Sequence, residues 1–151
     1  MIVMLPGVSA QDAAVVNRQK FAVANSGKPV AVLATEEEKM EVAAAIDHVL
    51  FDFDRATISP DFYPKLKGLA AWLNDKAVTL RVLGYADSIG SEQYNFRLSE
   101  RRAKAVKAYL VAIGVKQGLI EPEGLGEENP SPGSNSEAGR RKSRRVEFSL
   151  Y

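Results

Sequence analysis

From residue 47 to the C-terminus, segments with the apolar period of a β-strand alternate with segments that have the period of an α-helix. The predicted elements are strands at 49–53, 78–83, 119–126 and 145–150, with helices from Ser59-Pro60-Asp61 to about residue 74 and from about 92 to 113. The order β-α-β-α-β-β predicts an α/β (α+β) sandwich. In such a sandwich, two helices pack on one face of a mixed sheet.

The two helices are predicted from their ends as well as from their period. Ser59 is a suitable N-cap, and Pro60 fits the first helical position. Gly114 is a suitable residue to end the second helix. The core-facing stripe of the first helix is formed by Phe62, Leu66, Leu69 and Leu73. Residues 127–143 are rich in Gly, Pro, Ser and Asn, and they are predicted to form a long loop.

Residues 1–34 form short apolar runs separated by turn residues, which predicts a small β-meander. The strands expected in it are Ile2–Leu5, Ala13–Val16, Phe21–Ala24 and Val30–Leu33. Thr35, with Glu38 three residues later, has the spacing of a capping box and begins a connecting helix. We therefore expect a β-rich appendage with its connecting helix over 1–46, and the main domain over 47–151.

The composition excludes several classes of site. The formal net charge of +1 predicts no bulk attraction to nucleic acid or to an anionic membrane. The chain has no cysteine and only one histidine, His48, so disulfides, thiolate chemistry and His-rich metal sites are excluded. No apolar run approaches the roughly 20 residues of a membrane span. If the protein is exported, we expect its targeting segment to be absent from this chain.

Two charged residues could form a binding clamp at one end of the sheet. Asp87 follows a strand, in a loop that also contains Gly84 and Gly90, and Arg102 lies on the next helix. An aspartate accepts hydrogen bonds from an ammonium, and an arginine can hold a carboxylate with two parallel bonds. From the residues alone, a ligand clamp and a simple ion pair between Asp87 and Arg102 remain equally open.

Other charged groups are weaker candidates. The basic run from Arg140 to Arg145 lacks the interleaved aromatic residues of a nucleic-acid site, which favours a solvated surface. His48 has Asp47 and Asp52 nearby, but no nucleophile is spaced to work with it. The sequence therefore predicts a binding protein rather than an enzyme, with no catalytic residue, no metal and no cofactor.

The same region resembles the OmpA C-terminal-like family, which includes Pal-type lipoproteins and MotB-type stators. The likeness covers about residues 47–151, with the motifs in order and at matching spacing. The segments that carry it are Phe51-Asp52-Phe53-Asp54, Ala86-Asp87, Gly90, Tyr94-Asn95, Leu98-Ser99-Glu100-Arg101-Arg102-Ala103 and Gly139 to Phe148.

The resemblance implies non-covalent binding of peptidoglycan through the diaminopimelate of its stem peptide, which carries both an ammonium and a carboxylate. Asp87 and Arg102 would grip that group, Asn95 would add a polar contact and Leu98 part of the pocket wall. Asp54 and Arg144 match more peripheral contacts. The resemblance further implies a cell-wall anchor in the periplasm, attached to the outer membrane through a tether outside this chain. Envelope proteins are then expected as further partners, and nucleic acid is not.

The chain departs from the family pattern at two places. The family usually has His-Thr before the aspartate, whereas this chain has Tyr85-Ala86, so a hydroxyl is missing beside the expected ligand. Ser143 stands where the family usually has asparagine. These departures keep an alternative open: a protein–protein interaction module on the same fold, with a degenerate wall-binding site.

Overall fold

The computed structural model describes residues 21–23, 29–31, 33–76, 78–128, 130 and 133–151. The predicted strands Ile2–Leu5 and Ala13–Val16 lie outside these residues. The described strands and α-helices are, in chain order, β1 (Phe21–Val23), β2 (Pro29–Ala31), α1 (Glu36–Ile46), β3 (His48–Leu50), α2 (Tyr63–Asp75), β4 (Leu80–Gly84), α3 (Glu92–Ala112), β5 (Ile120–Gly124), α4 (Glu137–Ser143) and β6 (Arg145–Leu150).

Strands β3 to β6 form one mixed sheet in the order β3-β6-β4-β5. Strand β6 is antiparallel to both of its neighbours, and β4 is parallel to β5. Helix α3 makes the crossover between the two parallel strands, which is the usual way to connect such a pair. The predicted α/β sandwich with a mixed sheet is confirmed.

The hydrophobic core lies between the sheet and helices α1, α2 and α3. The helical period of α2 places its predicted apolar stripe against the sheet. The largest fully buried apolar side chains of this core are Ile46, Val49, Leu66, Leu69, Leu73, Leu80, Val82, Val106, Leu110 and Val146.

The segment before the main sheet contains a short hairpin and a well-capped helix. Strands β1 and β2 pair in antiparallel fashion. The predicted capping box at the start of α1 is confirmed, with both reciprocal bonds between Thr35 and Glu38 present at 3.2 and 2.9 Å. Helix α1 buries Val42 and Ile46 in the same core as the sheet. The division of the chain at residues 46 and 47 stays a prediction.

The prediction of a long loop over 127–143 is wrong at its C-terminal end, where α4 forms. Ser136 caps this helix by accepting a hydrogen bond from the Gly139 N–H at 3.1 Å. Glu137 lies in its first turn and basic residues lie in its last turn, so the charges complement the helix dipole. The short helix has no apolar stripe, and an apolar period therefore could not reveal it.

The first strand of the main domain and the start of α2 also differ from prediction. Strand β3 ends at Leu50 rather than at residue 53, because residues 52–55 form a turn in which Asp54 has φ +57°. A 3₁₀ turn over Pro60–Phe62 precedes α2. Ser59 stands at the N-cap position of this turn and Pro60 begins it, as predicted, but the Ser59 side chain makes no capping hydrogen bond.

Helix α3 lies unusually close to the sheet at the strand ends that carry the candidate site. A Cβ on Gly84 would collide with the main-chain carbonyl of Ser99, and a Cβ on Gly124 would lie 2.7 Å from the Ser99 hydroxyl. That hydroxyl accepts a hydrogen bond from the Gly126 N–H at 2.9 Å and donates one to the Phe96 carbonyl at 2.7 Å. The glycines therefore fix the position of the helix that carries Arg102.

Candidate functional site

The carboxylate of Asp87 is held at the C-terminal end of β4. The preceding backbone is fixed on both sides, because the Tyr85 N–H donates to the Arg145 carbonyl and the Ala86 N–H donates to the Gly126 carbonyl, each at 2.8 Å. Asp87 Oδ1 accepts from the Ile89 N–H at 3.0 Å, which folds the loop back over the side chain. The residue is only 4% exposed, and its charge therefore needs partners.

Those partners include Arg144 rather than Arg102. Arg144 Nη1 donates to Asp87 Oδ2 at 3.2 Å, and both side chains are buried. Arg144 also donates from Nε to the Phe51 carbonyl and from Nη2 to Glu137, each at 3.0 Å. The hydrogen bond from Arg144 lowers the pKa of Glu137. A direct ion pair between Asp87 and Arg102, which the sequence left open, does not form in the described part of the chain.

The guanidinium of Arg102 is completely buried and is held by main-chain carbonyls from two loops. Nε donates to Arg55 at 2.8 Å, Nη1 to Tyr85 at 3.0 Å and Nη2 to Asp52 at 3.1 Å. Its carbon also lies 5.3 Å from the centre of the Phe51 ring, in a cation–π contact. These contacts join the loop after β3 to the loop after β4.

Burial lowers the pKa of Arg102 to about 10, because taking a cation out of water disfavours its charged form. The negative charge of Asp87 opposes this lowering, whereas the positive charge of Arg144 adds to it. Arg102 is still protonated at neutral pH. The site is thus a cluster of buried charges in which Asp87 and Arg102 act on each other without direct contact.

Arg102 retains hydrogen-bonding capacity. A guanidinium has five N–H groups, and the bonds described above use Nε–H and one N–H on each terminal nitrogen. One N–H on each of Nη1 and Nη2 therefore makes no hydrogen bond within the described residues. Two N–H groups on neighbouring nitrogens match the two oxygens of a carboxylate.

The other predicted site residues differ in burial and in their partners. Asn95 is buried and donates from Nδ2 to the Ile89 carbonyl at 3.0 Å and to Glu127 at 2.7 Å, so it holds the loop after β4. Leu98 is buried one helical turn before Arg102. Asp54 is exposed, and its charge is close enough to raise the pKa of Arg102, opposing the effect of burial.

The departures from the family pattern are accommodated inside the fold. Tyr85 is buried and lies against the guanidinium of Arg145, 4.1 Å from ring centre to carbon. Ser143 donates its hydroxyl proton to the Gly139 carbonyl within α4, at 3.1 Å. The described contacts therefore give both residues structural roles beside the charged cluster.

Sequence reasoning missed Glu137 and the carbonyl groups that hold Arg102. The pair Ser136-Glu137 is a usable signal for a helix start, and that helix carries Glu137 to the side chain of Arg144. The carbonyls have no sequence signal, because every residue has one.

The comparisons with known proteins agree with this architecture. The family model described as "OmpA family" matches residues 50–144. "Outer membrane protein A" of Bordetella avium is 38% identical over 129 residues, covering 82% of this chain and 66% of that protein. "Outer membrane porin F" of Pseudomonas fluorescens is 43% identical over 103 residues, covering 68% of this chain and 32% of that protein.

A solved structure is similar over the same region. The peptidoglycan-associated lipoprotein of Burkholderia pseudomallei is 29% identical, with a TM-score of 0.67, over 69% of this chain and 89% of that one. The mixed sheet with its crossover helix, together with these matches, is that of an OmpA-like domain. The chain belongs to the OmpA family.

The relatives also bear on where the protein resides. They are proteins of the Gram-negative outer membrane and periplasm, which confirms the predicted periplasmic localisation. Among the described residues, no helix has both the length and the apolar character to cross a bilayer. The chain spans 66% or less of either outer-membrane relative, so it corresponds to a part of those proteins.

Proposed function

We propose that this domain binds peptidoglycan non-covalently through the diaminopimelate of the stem peptide, and thereby anchors an envelope protein to the cell wall. Membership of the OmpA family supports wall anchoring in general. The observation that carries the finer proposal is the pair of buried opposite charges, Asp87 and Arg102, held by backbone at one end of the sheet.

The two charges have complementary tasks in this proposal. Asp87 accepts hydrogen bonds from the ligand ammonium, and Arg102 donates its two remaining N–H groups to the ligand carboxylate. A ligand centre that carries both charges adds no net charge to the cluster. This matters because an unbalanced charge in a buried site is costly.

Arg144, Asn95 and the nearby loops set the geometry. Arg144 and the Ile89 N–H each bond one oxygen of Asp87, which leaves one lone pair on each oxygen for the ammonium. Asp87 and Arg102 are both buried, and the backbone of the loops at 52–55 and 87–90 makes hydrogen bonds to their side chains. A ligand can therefore reach the two charges only if these loops move. Asn95 bonds the second loop through the Ile89 carbonyl, and Asp54 lies in the turn of the first.

The expected affinity for one stem peptide is modest. Hydrogen bonds to charged groups contribute roughly 1.5–3 kcal/mol each, and two or three of them must offset an association cost of at least about 4 kcal/mol. Weak single-site binding suffices for an anchor, because the wall repeats the ligand and a tethered domain meets it at high effective concentration. Further envelope partners are part of the proposal.

The proposal is tested by calorimetric titration of a diaminopimelate-containing muropeptide into the wild type, Asp87→Asn and Arg102→Lys. Each substitution should weaken binding by roughly 10- to 150-fold, which corresponds to the loss of one charge-assisted hydrogen bond of about 1.5–3 kcal/mol. Arg101→Lys is the matched control, since Arg101 is the exposed neighbour of Arg102 on the same helix. Circular dichroism establishes that each variant is folded.

Two results would contradict the proposal. Full-affinity binding by the folded Asp87→Asn and Arg102→Lys variants would remove these residues from the site. No binding by the wild type, beside a family member that binds, would favour the alternative of a protein-interaction module with a degenerate wall site.

A further inference from the structure

A cavity of about 560 Å³ borders the candidate site and shares its wall. Phe51, Asp52 and Arg55 line this cavity. The carbonyls of the same three residues accept hydrogen bonds from the two buried arginines of the site. One loop therefore separates the cavity from the charged cluster, and a ligand bound at the cluster can extend into the cavity.

The cavity is lined by several charged and polar side chains. It includes the carboxylates of Asp52 and Asp61, the guanidiniums of Arg55 and Arg141, and the hydroxyl of Thr57. Within the described residues, none of these five side chains makes a hydrogen bond or an ion pair. The charges of the lining sum to zero, so the cavity favours a neutral ligand with many donors and acceptors over an ion.

Apolar groups complete the lining. Phe62 is half-buried at the cavity, and Phe51 and Ile58 contribute buried apolar surface. A sugar ring presents hydroxyl groups around its edge and C–H groups on its faces, which matches a lining of this kind. The volume lies within the usual range of about 300–1,000 Å³ for small-molecule sites.

We propose that this cavity is a saccharide subsite, which takes the sugar ring to which the stem peptide is attached. The inference rests on the proposed function, because the stem peptide would deliver the sugar. Two amino acids separate that sugar from the diaminopimelate in the stem peptide. The cavity lies one loop away from the charged cluster, on the other side of the carbonyls that bond its arginines.

The subsite predicts that the sugar adds affinity. The full chain is titrated calorimetrically with a free stem tripeptide that ends in diaminopimelate, and with the same tripeptide attached to N-acetylmuramic acid. The muramyl form should bind roughly tenfold more tightly, as expected for one or two additional neutral hydrogen bonds. Thr57→Val and Asp61→Ala should each reduce this preference, while the affinity for the free tripeptide stays unchanged.

The control variant is Glu121→Ala, which removes an exposed carboxylate from β5, at the opposite edge of the sheet from β3. It should retain the full preference. Equal affinities of the wild type for the two ligands, or an undiminished preference in both cavity variants, would overturn the subsite and leave the proposed function intact. Failure of both ligands to bind would overturn the proposed function and the subsite together.

Discussion

Replacing Arg102 with methionine should destabilise the fold, independently of any ligand. The side chain joins the loop after β3 to the loop after β4 through bonds to Asp52, Arg55 and Tyr85. Methionine has a similar length but no donor, so the three carbonyls lose their partner. The substitution therefore measures how strongly the guanidinium holds the two loops together.

The magnitude follows from two opposing contributions. Three hydrogen bonds from a charged donor stabilise by roughly 4.5–9 kcal/mol in sum, at about 1.5–3 kcal/mol each. Burial of the cation opposes this: it lowers the pKa of Arg102 to about 10, well below the ordinary value of a guanidinium, and at about 1.4 kcal/mol per pKa unit this costs about 3 kcal/mol. The expected loss in the free energy of unfolding is about 2–5 kcal/mol, because carbonyls left without a donor are partly hydrated.

Urea unfolding measures this loss, followed by the fluorescence of Trp72, the only tryptophan of the chain. Arg101→Met is the control, and we expect it to remain within about 0.5 kcal/mol of the wild type, as is usual for exposed positions. A loss below about 0.5 kcal/mol for Arg102→Met would refute the reasoning. It would mean that the cost of burying the charge cancels the three hydrogen bonds.

Three further predictions concern the surroundings of the site. Gly84→Ala should destabilise the domain by about 2 kcal/mol or more in urea unfolding, because its Cβ would collide with the Ser99 carbonyl; wild-type stability would contradict the close approach. Glu137→Gln should lower the free energy of unfolding at neutral pH, and this difference from the wild type should shrink below pH 4.5. The reason is that Arg144 lowers the pKa of the Glu137 carboxyl, so the stabilisation is lost as the pH falls through that pKa. A difference independent of pH would contradict this. Removing residues 1–46 should cost about 3 kcal/mol or more, since two apolar side chains of α1 leave the core; an unchanged melting temperature would show that the main domain does not need α1.

The fold was predictable where local signals and the apolar period agreed. Strand β6 has the predicted bounds, and α3 ends within one residue of its predicted end. Helix α4 was not predicted, because its charged sequence has no buried stripe and depends on capping by Ser136. The apolar pattern predicts that the first strand continues to Phe53, whereas the chain turns at 52–55, where Asp54 adopts a positive φ.

The candidate site was predictable in its residue types but not in its contacts. The resemblance identified Asp87 and Arg102, and the structure brings both to one end of the sheet. It could not indicate that Arg144 would pair with Asp87, since that contact joins residues 57 positions apart. Nor could it indicate that carbonyl groups would hold Arg102, because main-chain acceptors leave no mark on the sequence.

The most direct test of the central claim is to compare two muropeptides that differ at a single position. One carries diaminopimelate, and the other carries lysine, which lacks the second carboxylate. If Arg102 grips that carboxylate while Asp87 holds the ammonium, calorimetry on the wild type should show saturable binding of the first and at least tenfold weaker binding of the second, as expected for the loss of a charged hydrogen bond. Equal affinities for the two muropeptides would contradict the account.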